Sequence, residues 1–159
     1  MKRIIILAGL IACIITACSV SKQARTYKQT LNGKWKLQTA TTQGVMGKVK
    51  IRLFEEADYS CFLGSDWEFN SRNSLGSYYV PSDAKECGTI TRDIRWSIYE
   101  DAGQQYLQFK RLDTKLKPMD DGNGFRLAIV HLDKTSMQLQ STVQFENKPL
   151  TITYNFTKN

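Results

Sequence analysis

The chain has 159 residues, of which 22 are Lys or Arg and 15 are Asp or Glu, giving a formal charge of +7 at pH 7. This length suits one globular domain with its own hydrophobic core. The net positive charge does not predict nucleic-acid binding, because the basic residues are scattered and form no run longer than pairs such as Lys110-Arg111. The excess charge instead predicts a solvated surface.

The first 17 residues have the pattern of a secretory signal peptide. Lys2 and Arg3 precede a mostly apolar run at residues 4–15. This run is shorter than the roughly 18 residues that a membrane-spanning helix needs, which disfavours a transmembrane anchor. The following Ile15-Thr16-Ala17-Cys18 resembles the lipobox of bacterial lipoproteins. The resemblance implies cleavage before Cys18, acylation of Cys18, and attachment to a membrane through its lipid chains.

Residues 18–30 are mostly polar and predict a lipidated, flexible tether. Lys22, Arg25 and Lys28 are candidates for contact with anionic lipid headgroups, and a soluble spacer is the alternative. Sorting signals of bacterial lipoproteins directly follow the acylated Cys. Ser19 stands there instead of Asp, which resembles the outer-membrane signal, and no acidic cluster follows. The expected location is therefore the outer membrane, facing the periplasm.

Cys61 and Cys87 remain once Cys13 leaves with the signal peptide and Cys18 is acylated. An exported protein meets an oxidising compartment, so we predict that these two form a structural disulfide. Such a bridge stabilises by about 3–4 kcal/mol in the chain-entropy account. A reactive or metal-binding thiol pair is the alternative. It is disfavoured because the spacing fits no Cys-x-x-Cys pattern and His131 is the only histidine.

Apolar and polar residues alternate along most of the chain after residue 33. A period of two predicts half-buried β-strands, and tight turns between such runs predict antiparallel hairpins. Residues 45–53 fit either a strand or an irregular segment, and residues 54–62 fit at most one helical turn. The predicted strands are residues 34–41, 66–70, 77–80, 94–98, 107–110, 125–132, 137–145 and 150–157.

Regular short strands with turn signals are typical of a β-sandwich or a β-barrel. Consecutive hairpins favour an all-β domain over residues 31–159, built as an antiparallel up-and-down β-barrel of about eight strands. Closure into a barrel also removes exposed sheet edges. No segment shows an extended apolar stripe with the helical period of 3.6 residues.

The start of the first strand, Gly33-Lys34-Trp35, resembles the Gly-x-Trp motif that opens the lipocalin barrel. The resemblance covers residues 32–158 and implies that Gly33 permits a tight strand entry and that Trp35 closes one end of the barrel. A cation covers this Trp in lipocalins, and Lys158 and Lys148 are the candidates. The Thr-Asp-Tyr motif of core lipocalins and an Arg near the last strand are both missing. An ordinary core tryptophan in another β fold is the alternative for Trp35. Further matching segments are residues 64–69 after Cys61, residues 94–98 after Cys87, and residues 152–156.

Four aromatic residues, Trp67, Phe69, Trp96 and Tyr154, are candidate ligand-binding residues, because aromatic side chains in a barrel mouth form an apolar cup. Core packing is the alternative for them. An eight-stranded barrel is either filled by side chains or holds one small ligand. The leading hypothesis is a membrane-anchored lipocalin-like lipoprotein that binds a small apolar or amphipathic ligand at the cell envelope. A non-enzymatic structural or interaction module with a filled barrel is the alternative.

The sequence predicts no enzyme, no metal site and no cofactor. His131 follows the apolar period of residues 125–132 and is expected to face the interior as a structural residue, since no acid or nucleophile motif accompanies it. Glu55, Glu56 and Asp58 are interpreted as a solvated loop. Residues 120–124 lack the spacing of an EF-hand and are interpreted as a turn.

Overall fold

The computed structural model describes residues 21–44, 49–81 and 87–159. The strands of these residues are β1 (Gly33–Gln43), β2 (Arg52–Leu53), β3 (Ala57–Asp58), β4 (Asp66–Asn70), β5 (Leu75–Val80), β6 (Ile90–Asp101), β7 (Gln104–Leu112), β8 (Phe125–Leu132), β9 (Ser136–Phe145) and β10 (Lys148–Lys158). Eight of them are antiparallel and close into a barrel in the order β1-β10-β9-β8-β7-β6-β5-β4. The two short strands β2 and β3 form a separate hairpin, which lies between β1 and β4 in the sequence. The predicted all-β, up-and-down barrel of about eight strands is confirmed.

The barrel closes because β1 pairs with β10 on one side and with β4 on the other, where Trp35 is opposite Trp67. The alternation in the sequence becomes an inner and an outer face. In β10 the buried side chains are those of Leu150, Ile152, Tyr154 and Phe156. Full burial of a large apolar side chain contributes about 1.5–3 kcal/mol, so this inner face drives closure.

Strand β8 departs from strict alternation at a β-bulge. Its register with β9 shifts between Ile129 and His131, and both Val130 and His131 are exposed. An extra residue on one strand breaks the period of two. The expectation that His131 faces the interior is therefore wrong. Its Nε2 lies 3.0 Å from Oδ2 of Asp133, on the outside of the barrel.

A helix, α1 (Lys22–Leu31), occupies most of the predicted tether. Ser21 caps it, since its Oγ accepts a hydrogen bond of 3.0 Å from the backbone N–H of Ala24. Ala24 and Leu31 are buried and Tyr27 packs on the core, which forms an apolar stripe with helical spacing. The prediction of a flexible segment is therefore wrong from Lys22 onwards. The predicted tether ended at residue 30, whereas the apolar stripe of the helix continues to Leu31. The tether sequence alone therefore did not show the full helical pattern.

Helix α1 covers one end of the barrel, called the helix end below. There the Trp35 Nε1 donates to the carbonyl of Leu31 at 2.8 Å. The Lys158 ammonium lies 5.0 Å from the Trp35 ring centroid and donates to the carbonyl of Thr30 at 2.8 Å. Lys148 begins β10 at the opposite end, so Lys158 is the cation over Trp35. Gly33 has φ +119°, and a Cβ there would lie 3.1 Å from Lys158 Cε.

The predicted signal peptide, residues 1–17, the acylation site Cys18 and the sorting residue Ser19 lie outside the described residues. So does the first part of the ambiguous segment 45–53, whose last two residues form β2. In the part of the chain that the structure describes, none of the helices combines the length and apolar character needed to cross a bilayer.

Candidate ligand-binding site

The barrel interior is filled by aromatic and aliphatic side chains. The four predicted ligand residues, Trp67, Phe69, Trp96 and Tyr154, are all at most 3% exposed. Three of them, Trp67, Phe69 and Tyr154, line a small void at the barrel centre. Trp96 does not line it and lies towards the helix end, where its Nε1 donates to the carbonyl of Leu75 at 2.9 Å. Their role in ligand binding stays a prediction.

The central void measures about 10 Å³ and its lining is entirely apolar. That is near the minimum for one water molecule, and an apolar void of this kind stays dry. Small-molecule pockets are usually about 300–1,000 Å³. A ligand can therefore enter this barrel only if some of the side chains that fill it move away. The lining residues are Leu37, Phe54, Phe62, Trp67, Phe69, Leu107, Leu127, Leu139, Tyr154 and Phe156.

Tyr154 is the one residue of this lining with a hydroxyl group. Its hydroxyl lies 3.0 Å from the Ser141 Oγ on the neighbouring strand. Burial raises the pKa of Tyr154 to about 12, so the phenol is neutral at physiological pH. The barrel centre is therefore an uncharged, mostly apolar space.

The hairpin of β2 and β3 closes the end of the barrel opposite to α1, called the mouth below. We name residues 49–58 the plug hairpin. Its tip residue Phe54 reaches the central void and is only 7% exposed. Val49, Ile51 and Leu53 are also buried. The Phe54 ring centroid lies 5.1–6.4 Å from the rings of Phe62, Trp67, Tyr78, Phe109 and Phe125. One loop residue therefore occupies part of the space that a ligand would need.

Two consecutive residues at this tip have left-handed backbone angles, Phe54 at φ +51° and Glu55 at φ +55°. This conformation costs about 1–2 kcal/mol for each residue that has a Cβ. The packing of the Phe54 ring offsets that cost. No Gly or Asn marks this turn in the sequence, so the usual signal for a hairpin was missing.

A cluster of charged and polar side chains joins the plug hairpin to the barrel wall at the mouth. We name Tyr78, Glu56, Arg92, Arg111 and Asp120 the mouth cluster. The Glu56 Oε1 accepts from the Arg92 Nε at 2.7 Å and from the Tyr78 hydroxyl at 3.3 Å, and lies 2.7 Å from the Arg111 Nη1. The Arg111 Nε donates to Asp120 Oδ2 at 2.8 Å. Two guanidinium groups are thus balanced by two carboxylates.

The mouth cluster fixes the charge of its members. Burial acts to raise the pKa of the Glu56 carboxyl, but hydrogen bonds from Arg92 and Arg111 outweigh it and the pKa lies below the ordinary value of 4.5. Burial, followed by the nearby Glu56 carboxylate, raises the pKa of the Tyr78 phenol well above its usual range. The hydrogen bond to Asp120 raises the pKa of Arg111. Glu56 is therefore a carboxylate and Tyr78 a neutral hydrogen-bond donor.

This arrangement corrects the interpretation of the acidic segment as a solvated loop. The Glu56 side chain is only 9% exposed. Asp58 has a different role, since its Oδ1 accepts from the backbone N–H of Ser60 and its Oδ2 accepts from that of Ile51, at 3.0 and 2.9 Å. Among residues 21–44, 49–81 and 87–159, no group of three or more His, Cys, Asp or Glu side chains could hold a metal ion.

A disulfide connects the region after the plug hairpin to the segment that precedes β6. Cys61 lies in the short 3₁₀ helix Tyr59–Phe62 and is bonded to Cys87, with a Cα–Cα distance of 5.5 Å. Their separation of 26 residues corresponds to about 3.5 kcal/mol of stabilisation in the chain-entropy account. The bridge keeps Phe62, which also lines the void, at the mouth.

The chain is similar to two solved structures and to one protein family. Two solved structures are similar, apocrustacyanin C1 with 12% identity and a TM-score of 0.45, and apocrustacyanin C2 with 13% identity and a TM-score of 0.44. Each match covers 87% of this chain and 70% of that chain. No curated protein sequence matches the chain. Residues 31–139, more than half of the chain, match the family described as a lipocalin-like domain. The chain therefore belongs to the family of lipocalin-like domain proteins.

Proposed function

We propose that this protein binds a small apolar or amphipathic molecule inside its barrel while lipid chains on Cys18 attach it to the cell envelope. Binding without catalysis is the role that a lipocalin-like barrel suggests. The proposal rests on which residues line the void at the barrel centre. The void is lined only by apolar surface, and one of its walls is Phe54, which belongs to the plug hairpin and to none of the barrel strands.

The plug hairpin is held by fewer backbone pairs than any barrel strand. β2 and β3 are joined by only two residue pairs, Arg52 with Asp58 and Leu53 with Ala57, whereas β9 and β10 share ten. Displacement of the hairpin also relieves the left-handed backbone of Phe54 and Glu55. An apolar ligand that takes the place of the Phe54 ring restores the lost apolar contacts. The barrel then holds a ligand without any break in its strand ladders.

A second candidate function is a structural or interaction module of the envelope, and the filled interior favours it. If the plug hairpin never leaves, only the outer face and the loops are available to a partner. The two functions differ in a measurable property, which is whether the barrel takes up an apolar molecule.

Native mass spectrometry of the mature protein, extracted in a mild detergent and incubated with hexadecanol, tests the ligand hypothesis. We expect one bound hexadecanol per chain, absent from a denatured control, and stronger binding by Phe54→Ala because its plug is smaller. Val130→Ala is the matched control, since Val130 is 51% exposed on the outer face. If neither the wild type nor Phe54→Ala binds hexadecanol, the filled-barrel function replaces the ligand hypothesis.

The anchor is tested on the same material by intact-mass analysis. The proposal requires that the mature chain begins at Cys18 and carries acyl chains, and that a Cys18→Ala chain is neither acylated nor processed. The lipobox-like sequence and the signal-like residues 1–17 support this part of the proposal. Location in the outer membrane, supported by Ser19, is tested by separation of the inner and outer membranes. An unmodified Cys18 in the membrane fraction contradicts the anchor.

A further inference from the structure

The mouth cluster has one member that is separable from the barrel. Arg92 belongs to β6, Arg111 to β7 and Tyr78 to β5, and Tyr78 is opposite Arg92 in the β5–β6 register. Glu56 alone belongs to the plug hairpin. The three donors therefore stay on the barrel wall when the hairpin moves, while the carboxylate that they bind leaves with it.

Withdrawal of Glu56 leaves an unbalanced charge at the mouth. Arg111 keeps Asp120 as its partner, through the Arg111 Nε to Asp120 Oδ2 bond of 2.8 Å. Among the residues that the structure describes, the remaining side-chain contact of Arg92 is that of its Nη1 with the sulfur of Met119 at 3.5 Å. A partly buried guanidinium without a counter-ion is costly, so the open mouth requires one new carboxylate.

The plug hairpin itself has the pattern of an amphiphile. Phe54 places an apolar group against the central void, and Glu56, two residues later, places a carboxylate on the guanidinium groups above it. A fatty acid has the same order of groups, with an apolar chain and a terminal carboxylate. The part of its chain next to the head group would take the space of the Phe54 ring, the rest would displace further side chains that fill the barrel, and its head group would take the position of the Glu56 carboxylate.

We propose that Arg92, Arg111 and Tyr78 form a carboxylate site at the barrel mouth, that Glu56 occupies this site in the free protein, and that the ligand class is a single-chain amphiphile with a carboxylate head. This inference rests on the proposed function, because it specifies the ligand of the same barrel. The two guanidinium groups make the site prefer a carboxylate over a neutral head group. The Tyr78 hydroxyl is a neutral donor to Glu56 Oε1, the same oxygen that the two arginines contact.

The test is a competition between palmitate and hexadecanol at equal concentrations, read by native mass spectrometry of the mature protein in detergent. The two ligands share chain length and differ at the head group, and their masses are resolved. Charge-assisted hydrogen bonds contribute about 1.5–3 kcal/mol, so we expect Arg92→Gln to lower the bound palmitate-to-hexadecanol ratio by at least tenfold. Each variant is measured in the same detergent, so a difference between the two ligands in their partition into detergent affects every variant's ratio equally. It therefore does not change the comparison between variants.

Arg95→Gln is the matched control, on the same strand as Arg92 but exposed and outside the mouth cluster. We expect it to leave the ratio unchanged. An equal ratio in the wild type, Arg92→Gln and Arg95→Gln, with hexadecanol still bound, overturns the carboxylate site and leaves the ligand hypothesis intact. Absence of binding for both ligands, in the wild type and in Phe54→Ala, overturns both.

A second measurement needs no variant of the arginines. Palmitate labelled with ¹³C at its carboxyl carbon is titrated while bound to the wild-type protein, and the chemical shift of that carbon reports its ionisation. We expect the bound carboxyl to remain ionised at pH values where the micellar acid is already protonated, because Arg92 and Arg111 stabilise the anion. A bound carboxyl that titrates like the micellar acid rejects the site.

Discussion

Replacement of Phe54 measures how firmly the plug hairpin holds the mouth. Its ring is 7% exposed and lies within 6.4 Å of five other aromatic rings, so Phe54→Ala removes a buried core side chain. Such changes cost about 3–5 kcal/mol, and we expect the lower half of that range because the hairpin can relax at its tip. The free energy of unfolding is measured by urea titration with tryptophan fluorescence, since Trp35, Trp67 and Trp96 are all buried.

A second substitution at this position separates packing from backbone strain. Glycine adopts the left-handed region without the penalty of a Cβ, so Phe54→Gly should be more stable than Phe54→Ala by about 1 kcal/mol, although glycine is usually the less stable of the two. The exposed Val130→Ala should change stability by no more than about 0.5 kcal/mol. A cost below about 1 kcal/mol for Phe54→Ala, or a glycine variant less stable than the alanine variant, would refute this account of the tip.

Three further predictions concern the disulfide, the mouth cluster and the helix end. Reduction of the Cys61–Cys87 bridge, or Cys61→Ala with Cys87→Ala, should lower the free energy of unfolding by about 3 kcal/mol, measured by urea titration with and without reductant; an unchanged midpoint contradicts it. The pKa of Glu56 is lowered in the folded state, so its stabilising effect is complete above the ordinary value of 4.5 and is lost as pH falls through the folded pKa. Glu56→Gln should therefore show a smaller fall in stability than the wild type between about pH 6 and about pH 3, and parallel curves contradict it. Gly33→Ala should cost at least about 1 kcal/mol in thermal unfolding because φ is positive, whereas Gly88→Ala, which has open space around it, should change little; equal effects contradict this reasoning.

The barrel could be predicted from the sequence because its strands have a regular two-residue period. Residues 150–157 alternate so clearly that the inner face of β10 can be read directly, and the Gly33-Lys34-Trp35 motif fixed the start of the first strand. The same two-residue period, interrupted by tight turns, predicted that consecutive strands pair as hairpins. A chain of such hairpins closes most simply into a barrel. It failed locally at His131, because a bulge inserts one residue and reverses the faces that follow.

The plug hairpin and the mouth cluster could not be predicted for a different reason. Phe54 and Glu55 form a turn without glycine or asparagine, so no local signal marks it. Glu56, Arg92 and Arg111 are charged, and charged residues are normally assigned to the surface. Only the fold brings the hairpin to the two arginines, which lie 36 and 55 positions further along the chain.

Helix α1 has a geometric consequence for any acylated form of the protein. Its cap residue is Ser21, so only Ser19 and Val20 separate Cys18 from the folded domain. Three residue steps span at most about 11 Å when fully extended. An acylated Cys18 would thus keep the Trp35 end of the barrel close to the bilayer surface, and the mouth with its plug hairpin would lie at the end away from that surface. A lipid in the same leaflet would then have no direct lateral path into the barrel, and cargo would have to arrive through water or from a second carrier.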